Sequence, residues 1–158
     1  MIILGIDPGT AIVGWAVIKK EGQKISLLNC DAIITKKGTL EENRLLTIYN
    51  EFTAILKTYS PDVISVEQLF FATNVATAMT VAQARGIILL GSAQHAVPVI
   101  SYTPLQVKKT ITGDGRADKR QIQFMLPRLI SIKNVPKLDD ITDAIAIALT
   151  HAYTNRFK

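Results

Sequence analysis

Ile2-Ile3-Leu4-Gly5-Ile6-Asp7-Pro8-Gly9 opens the chain as an apolar run halted by a Pro-Gly pair. That is the pattern of a buried strand entering a tight turn. Working outward, residues 11–18 and 24–34 read as two further strands, joined by a hairpin-type turn around Glu21-Gly22-Gln23. Residues 39–59 then carry Leu45, Ile48, Phe52, Ile55 and Leu56 at helical spacing, with Thr39 and Glu42 in a capping-box pattern. A short β-branched run at 63–66 predicts a central strand ending at Glu67, and an Ala-rich apolar stretch at 74–95 predicts a second long helix. Residues 97–102 read as a fifth strand, and Thr103-Pro104 as the start of a third helix. Gly113-Asp114-Gly115 is expected to be a flexible loop. A helix at 118–130 should bend or break at Pro127, and an apolar-striped helix at 139–153 closes the chain. Three strands able to form a meander, then strands separated by helices, predict an α/β chain: a mixed five-stranded sheet flanked by helices on both faces.

The 158 residues, 48% hydrophobic and 20% charged, are one domain's worth of sequence, with no repeat or linker to divide residues 1–158. No run of about 18 apolar residues is present, so no membrane partner is expected. The first ten residues lack the basic region and cleavage site of a signal peptide. The single cysteine, Cys30, excludes an intramolecular disulfide and fits a cytoplasmic location. The net charge of +5 is unevenly placed. Residues 1–100 carry eight Lys/Arg against eight Asp/Glu, whereas residues 101–158 carry ten against five. Between residues 108 and 137 eight basic residues meet only Asp114 and Asp118. Such asymmetry points to a polyanion on one side of the molecule, with a solvated basic face as the plainer alternative.

The acids are the more telling signal. Asp7 and Glu67 each close an apolar strand, and Asp140 and Asp143 begin the apolar helix. A buried carboxylate without compensation costs several kcal/mol, roughly, so each needs a partner. Asp140 and Asp143, three apart, project from one face of a helix. Strand ends are where open sheets place their sites. Brought together, four oxygen donors select Mg²⁺ or Mn²⁺ over zinc, and two such ions can activate a water against a phosphodiester. Taken singly, the same residues also fit a turn Asp, a strand-end surface Glu and acids favoured by a helix dipole. Asp139 is a spare acid beside Asp140, and the spacing to Asp143 favours Asp140. His151, two turns further on, reads as a partner of the helix C-terminus or a surface residue rather than a ligand.

The element order is that of the ribonuclease-H-like fold, and the motifs carry a more specific likeness. Gly5-Ile6-Asp7-Pro8-Gly9-Thr10 with Gly14-Trp15-Ala16, Val66-Glu67-Gln68-Leu69-Phe70-Phe71-Ala72-x-Asn74, Gln83-Ala84-Arg85-Gly86, Val107-Lys108-Lys109, Gly113-x-Gly115-x-Ala117-x-Lys119 and Asp140-x-x-Asp143-Ala144 occur in this order across nearly the whole chain. The sequence therefore resembles the RuvC Holliday junction resolvases. The resemblance implies a homodimeric endonuclease that nicks two opposed strands of four-way junction DNA, in recombination and repair, leaving 5′-phosphate and 3′-hydroxyl ends. It implies Asp7, Glu67, Asp140 and Asp143 as catalytic metal ligands, Phe70 as a base-stacking residue, and Lys108 and Lys119 beside the DNA backbone. The proteins RuvA and RuvB are implied as partners.

The residues agree with those roles. Phe70 follows a candidate catalytic acid in a stretch expected to be loop, with Phe71 as the member of the pair expected to be buried. Lys108, Lys109, Arg116, Lys119 and Arg120 surround the Gly-rich loop, suited to phosphate contact. The helix after residue 74 is apolar on more than one face, so Val75, Ala78, Met79 and Ala82 are candidates for a two-fold dimer contact, unless the helix is buried within one chain. Three alternatives share features with this reading: an actin-type ATPase domain, a non-catalytic DNA-binding module, and the YqgF-type relatives that share the opening motif. The 158-residue length disfavours the first, the placement of the acids the second, and the Phe70-Phe71 and Gln83–Gly86 blocks the third.

Overall fold

The computed structural model of the chain describes residues 1–68, 75–132 and 135–154. Strands β1 (Ile2–Asp7), β2 (Ile12–Glu21) and β3 (Lys24–Ile34) are followed by α1 (Glu41–Tyr59), β4 (Val63–Glu67), α2 (Val75–Gln94) and β5 (Val99–Tyr102). Helices α3 (Pro104–Thr112), α4 (Lys119–Leu129) and α5 (Asp139–Thr154) complete the chain. The five-stranded sheet has the order β3-β2-β1-β4-β5. The first three strands pair antiparallel, and β4 pairs parallel with both β1 and β5. The sheet is therefore mixed, as the element order predicts.

Strand alternation divides the core in two. Leu4, Ile6, Val13, Trp15, Val17, Ile64 and Val66 face α1 and α2, where they meet Ile48, Phe52 and Ile88. The alternate positions Ile3, Ala16, Ile18 and Val63 face α3, α4 and α5. By the same period of two, Gly5, Asp7, Gly14, Ser65 and Glu67 lie on this second face. Its small residues let α5 sit unusually close. A methyl group at Gly5 would collide with the Ala144 carbonyl and stand 2.8 Å from the Ala148 Cβ. Ser65 Oγ donates to the Ile147 carbonyl at 3.2 Å.

Several local expectations are corrected. Thr39 does not cap α1: its N–H closes a turn onto Lys36 O at 3.3 Å, and Leu40 occupies the cap without a side-chain bond. Strand β2 continues to Glu21, which pairs with Lys24, so the hairpin turn is only Gly22-Gln23, with Gly22 at φ +60°. Pro127 does not break α4, because it sits in the last turn, two residues before the helix ends. The 113–117 loop carries its own hydrogen bonds. Asp114 Oδ1 accepts from Arg116 N at 2.9 Å, and Asp114 N donates to Thr112 Oγ1 at 3.1 Å. His151 is not a surface residue: it is 3% exposed, its Nδ1 is 2.8 Å from the Tyr102 hydroxyl, and burial lowers its pKa.

Candidate active site

Asp7 and Glu67 end neighbouring parallel strands whose last paired residues are Ile6 and Val66. Both lie on the α5 face, so the two carboxyls share one corner of the sheet. Helix α5 supplies the others. Gly14 pairs with Asp7 across β1 and β2, and the backbone of Asp140 rests directly on Gly14, with its Cβ 3.0 Å from where a methyl would be. The first turn of α5 thus stands beside Asp7, and Asp143 follows one turn later on the same side.

The other three acids all act on Asp7. The Asp7 carboxyl is pushed up to about 8, first by burial and then by the charges of Glu67, Asp143 and Asp140. Burial and Asp143 raise Glu67, against a lowering by Lys119 and Lys108. Burial also raises Asp143, although Lys119 opposes it. Lys119 Nζ lies 3.3 Å from Asp143 Oδ2 and 3.4 Å from Asp139 Oδ2. Burial pulls this ammonium down, but Asp143 and Asp139 outweigh it and hold its pKa above the ordinary value.

A cleft of about 140 Å³ opens here, lined by Glu67, Asp143, Lys108 and Lys119 together with Pro104, Val107, Ile122 and Ile147. Capping boxes aim the two lysines. Thr103 with Gln106 starts α3, which carries Lys108, and Asp118 with Gln121 starts α4, whose first residue is Lys119. Asp118 therefore serves as a helix cap, and Asp114 as a turn residue. Lys109, Arg116 and Arg120 are exposed and do not line the cleft; Arg120 borders a separate hollow with Phe124 and Met125. Phe70, with Phe71, falls outside the described residues, as does the side chain of Val75. On α2, Ala78 and Ala82 are half-buried and Met79 is 64% exposed.

Among the described residues, no three His, Cys, Asp or Glu side chains form a ready-made ion cage. The donor set nevertheless fits a hard divalent cation. It is all oxygen, and burial together with the neighbouring acids raises Asp7 and Glu67 against the pull of Lys119.

A family model described as "Crossover junction endodeoxyribonuclease RuvC" matches residues 3–151. The chain belongs to the RuvC family. Among relatives, the RuvC of Alkaliphilus oremlandii is 48% identical over 99% of this chain and 96% of that protein. The RuvC of Brevibacillus brevis is 50% identical over 99% and 95%. T. thermophilus RuvC, solved in complex with a Holliday junction substrate, matches at TM-score 0.93 and 32% identity, covering 99% of this chain and 95% of that one. The chain is thus a RuvC-type endodeoxyribonuclease with the ribonuclease-H-like fold, and the YqgF and actin-type alternatives fall away. No described helix is long and apolar enough to cross a membrane.

Sequence reasoning singles out Glu67, Asp143, Lys108 and Lys119, which line the cleft, and Asp7 and Asp140 beside it. It misses Gln123, which donates to Asp139 Oδ1 at 3.1 Å, and the role of Gly14 in seating α5. The period-two run of small residues on one sheet face is the signal that would have revealed the latter.

Proposed function

We propose that this chain, as a single nuclease domain in a homodimer, nicks two opposed strands of four-way junction DNA in the cytoplasm, leaving 5′-phosphate and 3′-hydroxyl ends. Asp7, Glu67, Asp140 and Asp143 would hold two Mg²⁺ ions, with Mn²⁺ as a substitute. Bound there, the metal would supply Lewis acidity toward a phosphodiester. The observation that carries this reading is geometric: Asp7 and Glu67 end neighbouring strands, and the start of α5 is seated on Gly14 beside them, so that Glu67, Asp143 and Asp140 all act on Asp7. A buried, all-oxygen donor set at the end of a sheet suits a hard divalent cation rather than a bare phosphate.

The chain's own residues do the positioning. Lys108 and Lys119 border the acids and contact the phosphates flanking the scissile bond. Lys109, Arg116 and Arg120 extend that contact along the backbone, setting affinity rather than sequence choice. Phe70 stacks on an unpaired base near the crossover. Val75, Ala78, Met79 and Ala82 form the two-fold contact, which the 64% exposure of Met79 favours. RuvA and RuvB are the proposed partners in the cell.

The test is incubation of the wild-type chain with a synthetic four-way junction and with plain duplex, with and without Mg²⁺. Paired nicks confined to the junction and dependent on Mg²⁺ are expected. Equal cutting of both substrates would contradict junction selectivity.

A further inference from the structure

We infer that Asp139, oriented by Gln123, is a positioning residue that holds the Lys119 ammonium at the edge of the acidic cleft. The inference rests on the proposed phosphate contact of Lys119. The two oxygens of Asp139 have separate partners. Oδ1 accepts from Gln123 Nε2 at 3.1 Å, and Oδ2 faces Lys119 Nζ at 3.4 Å. Gln123 stands one turn after Lys119 on α4, so both side chains meet the start of α5 from the same face. The Asp118–Gln121 capping box fixes the first turn of α4 beneath them.

Asp139 does not line the cleft, whereas Asp143, the other acid facing Lys119, does. Lys119 is therefore held from outside by Asp139 and from inside by Asp143. The Asp139 and Lys119 side chains are 51% and 61% exposed, so their pairing adds little to folding stability. Its effect is on a flexible four-carbon stem, confined to one orientation before DNA arrives. Both Asp139 oxygens are engaged, by Gln123 and by Lys119, so Asp139 acts through Lys119.

The test is single-turnover cleavage of a four-way junction at saturating enzyme across an Mg²⁺ titration, for wild type, D139N, D139E, Q123A, K119A and the D139N/K119A double variant. D139N is expected to slow cleavage about three- to tenfold, with D139E close to wild type and Q123A slowed less. In the K119A background D139N should add nothing, and the Mg²⁺ concentration for half-maximal rate should not move. An unchanged or faster D139N, an equal slowing in the K119A background, or a shifted Mg²⁺ requirement would overturn the inference, the last by making Asp139 a ligand. If K119A itself cut at the wild-type rate, the proposed role of Lys119 would fail, and the inference with it.

Discussion

The backbone of Asp140 rests on Gly14, the cross-strand partner of Asp7. One glycine therefore sets the distance between a strand-borne acid and a helix-borne acid. Gly5 does the same one turn further along α5, beneath Ala144 and Ala148. The close seating of α5 on a face of small residues brings carboxylates from three elements to one corner of the sheet.

Gly14→Ala should accordingly lift the start of α5. Overpacking of this kind costs about 1–3 kcal/mol. Thermal unfolding should show a Tm lower by about 2–12 °C. Junction cleavage should fall by more than junction binding. An unchanged Tm with full activity would show that α5 does not need Gly14 beneath it.

The raised carboxyl at Asp7 makes stability depend on pH. Folded, the group keeps its proton up to about 8, against an ordinary value of 3.8. Between these values the folded state binds more protons, so stability falls as pH rises through about 4 to 8. Glu67 and Asp143 are shifted the same way. His151, whose pKa is lowered, opposes this: its contribution is lost as pH falls below its ordinary 6.5. In EDTA, Tm measured from pH 6.5 to 8.5 should decline. Added Mg²⁺ should raise it most at the alkaline end, and Asp7→Asn should flatten the decline. A wild-type Tm that rises over this range would contradict the electrostatic reading.

Lys119→Ala removes one cation from the cleft rim. Each phosphate that a protein ceases to neutralise on duplex DNA makes the negative slope of log K against log salt shallower by about 0.9. Junction binding titrated from low to moderate salt should show that change. A slope identical to wild type would place Lys119 off the phosphate backbone.

Asp118→Ala removes the cap of α4, whose side chain accepts from Gln121 N at 2.9 Å. Such a loss costs about 1 kcal/mol. The first turn carries Lys119, so cleavage should drop although no cleft-lining group is changed. Chemical denaturation and a cleavage assay on the same preparation check both effects, and a full-rate enzyme of lowered stability would detach the cap from the site.

Much of this site is legible in sequence because a charge at the end of an apolar run has few structural uses. Asp7 and Glu67 are visible for that reason, and Asp140 and Asp143 through their helical spacing. The local geometry is less visible. Thr39 looks like a cap, yet its N–H is already committed to Lys36 O. His151 looks superficial because its partner, Tyr102, lies 49 residues away. The basic cluster around the Gly-rich loop reads as one patch, whereas the fold turns Lys108 and Lys119 into the cleft and leaves Lys109, Arg116 and Arg120 outside it. Sequence proximity marks a charged region, but helix phase decides which members reach the acids.

The proposed metal site makes binding and cutting of a junction separable, because the four acids are needed only for the second. Its most direct test is Asp7→Asn assayed at saturating four-way junction and Mg²⁺, with binding measured on the same sample. Near wild-type binding with cleavage reduced by about a hundredfold or more is the predicted result. Cleavage at the wild-type rate would contradict it.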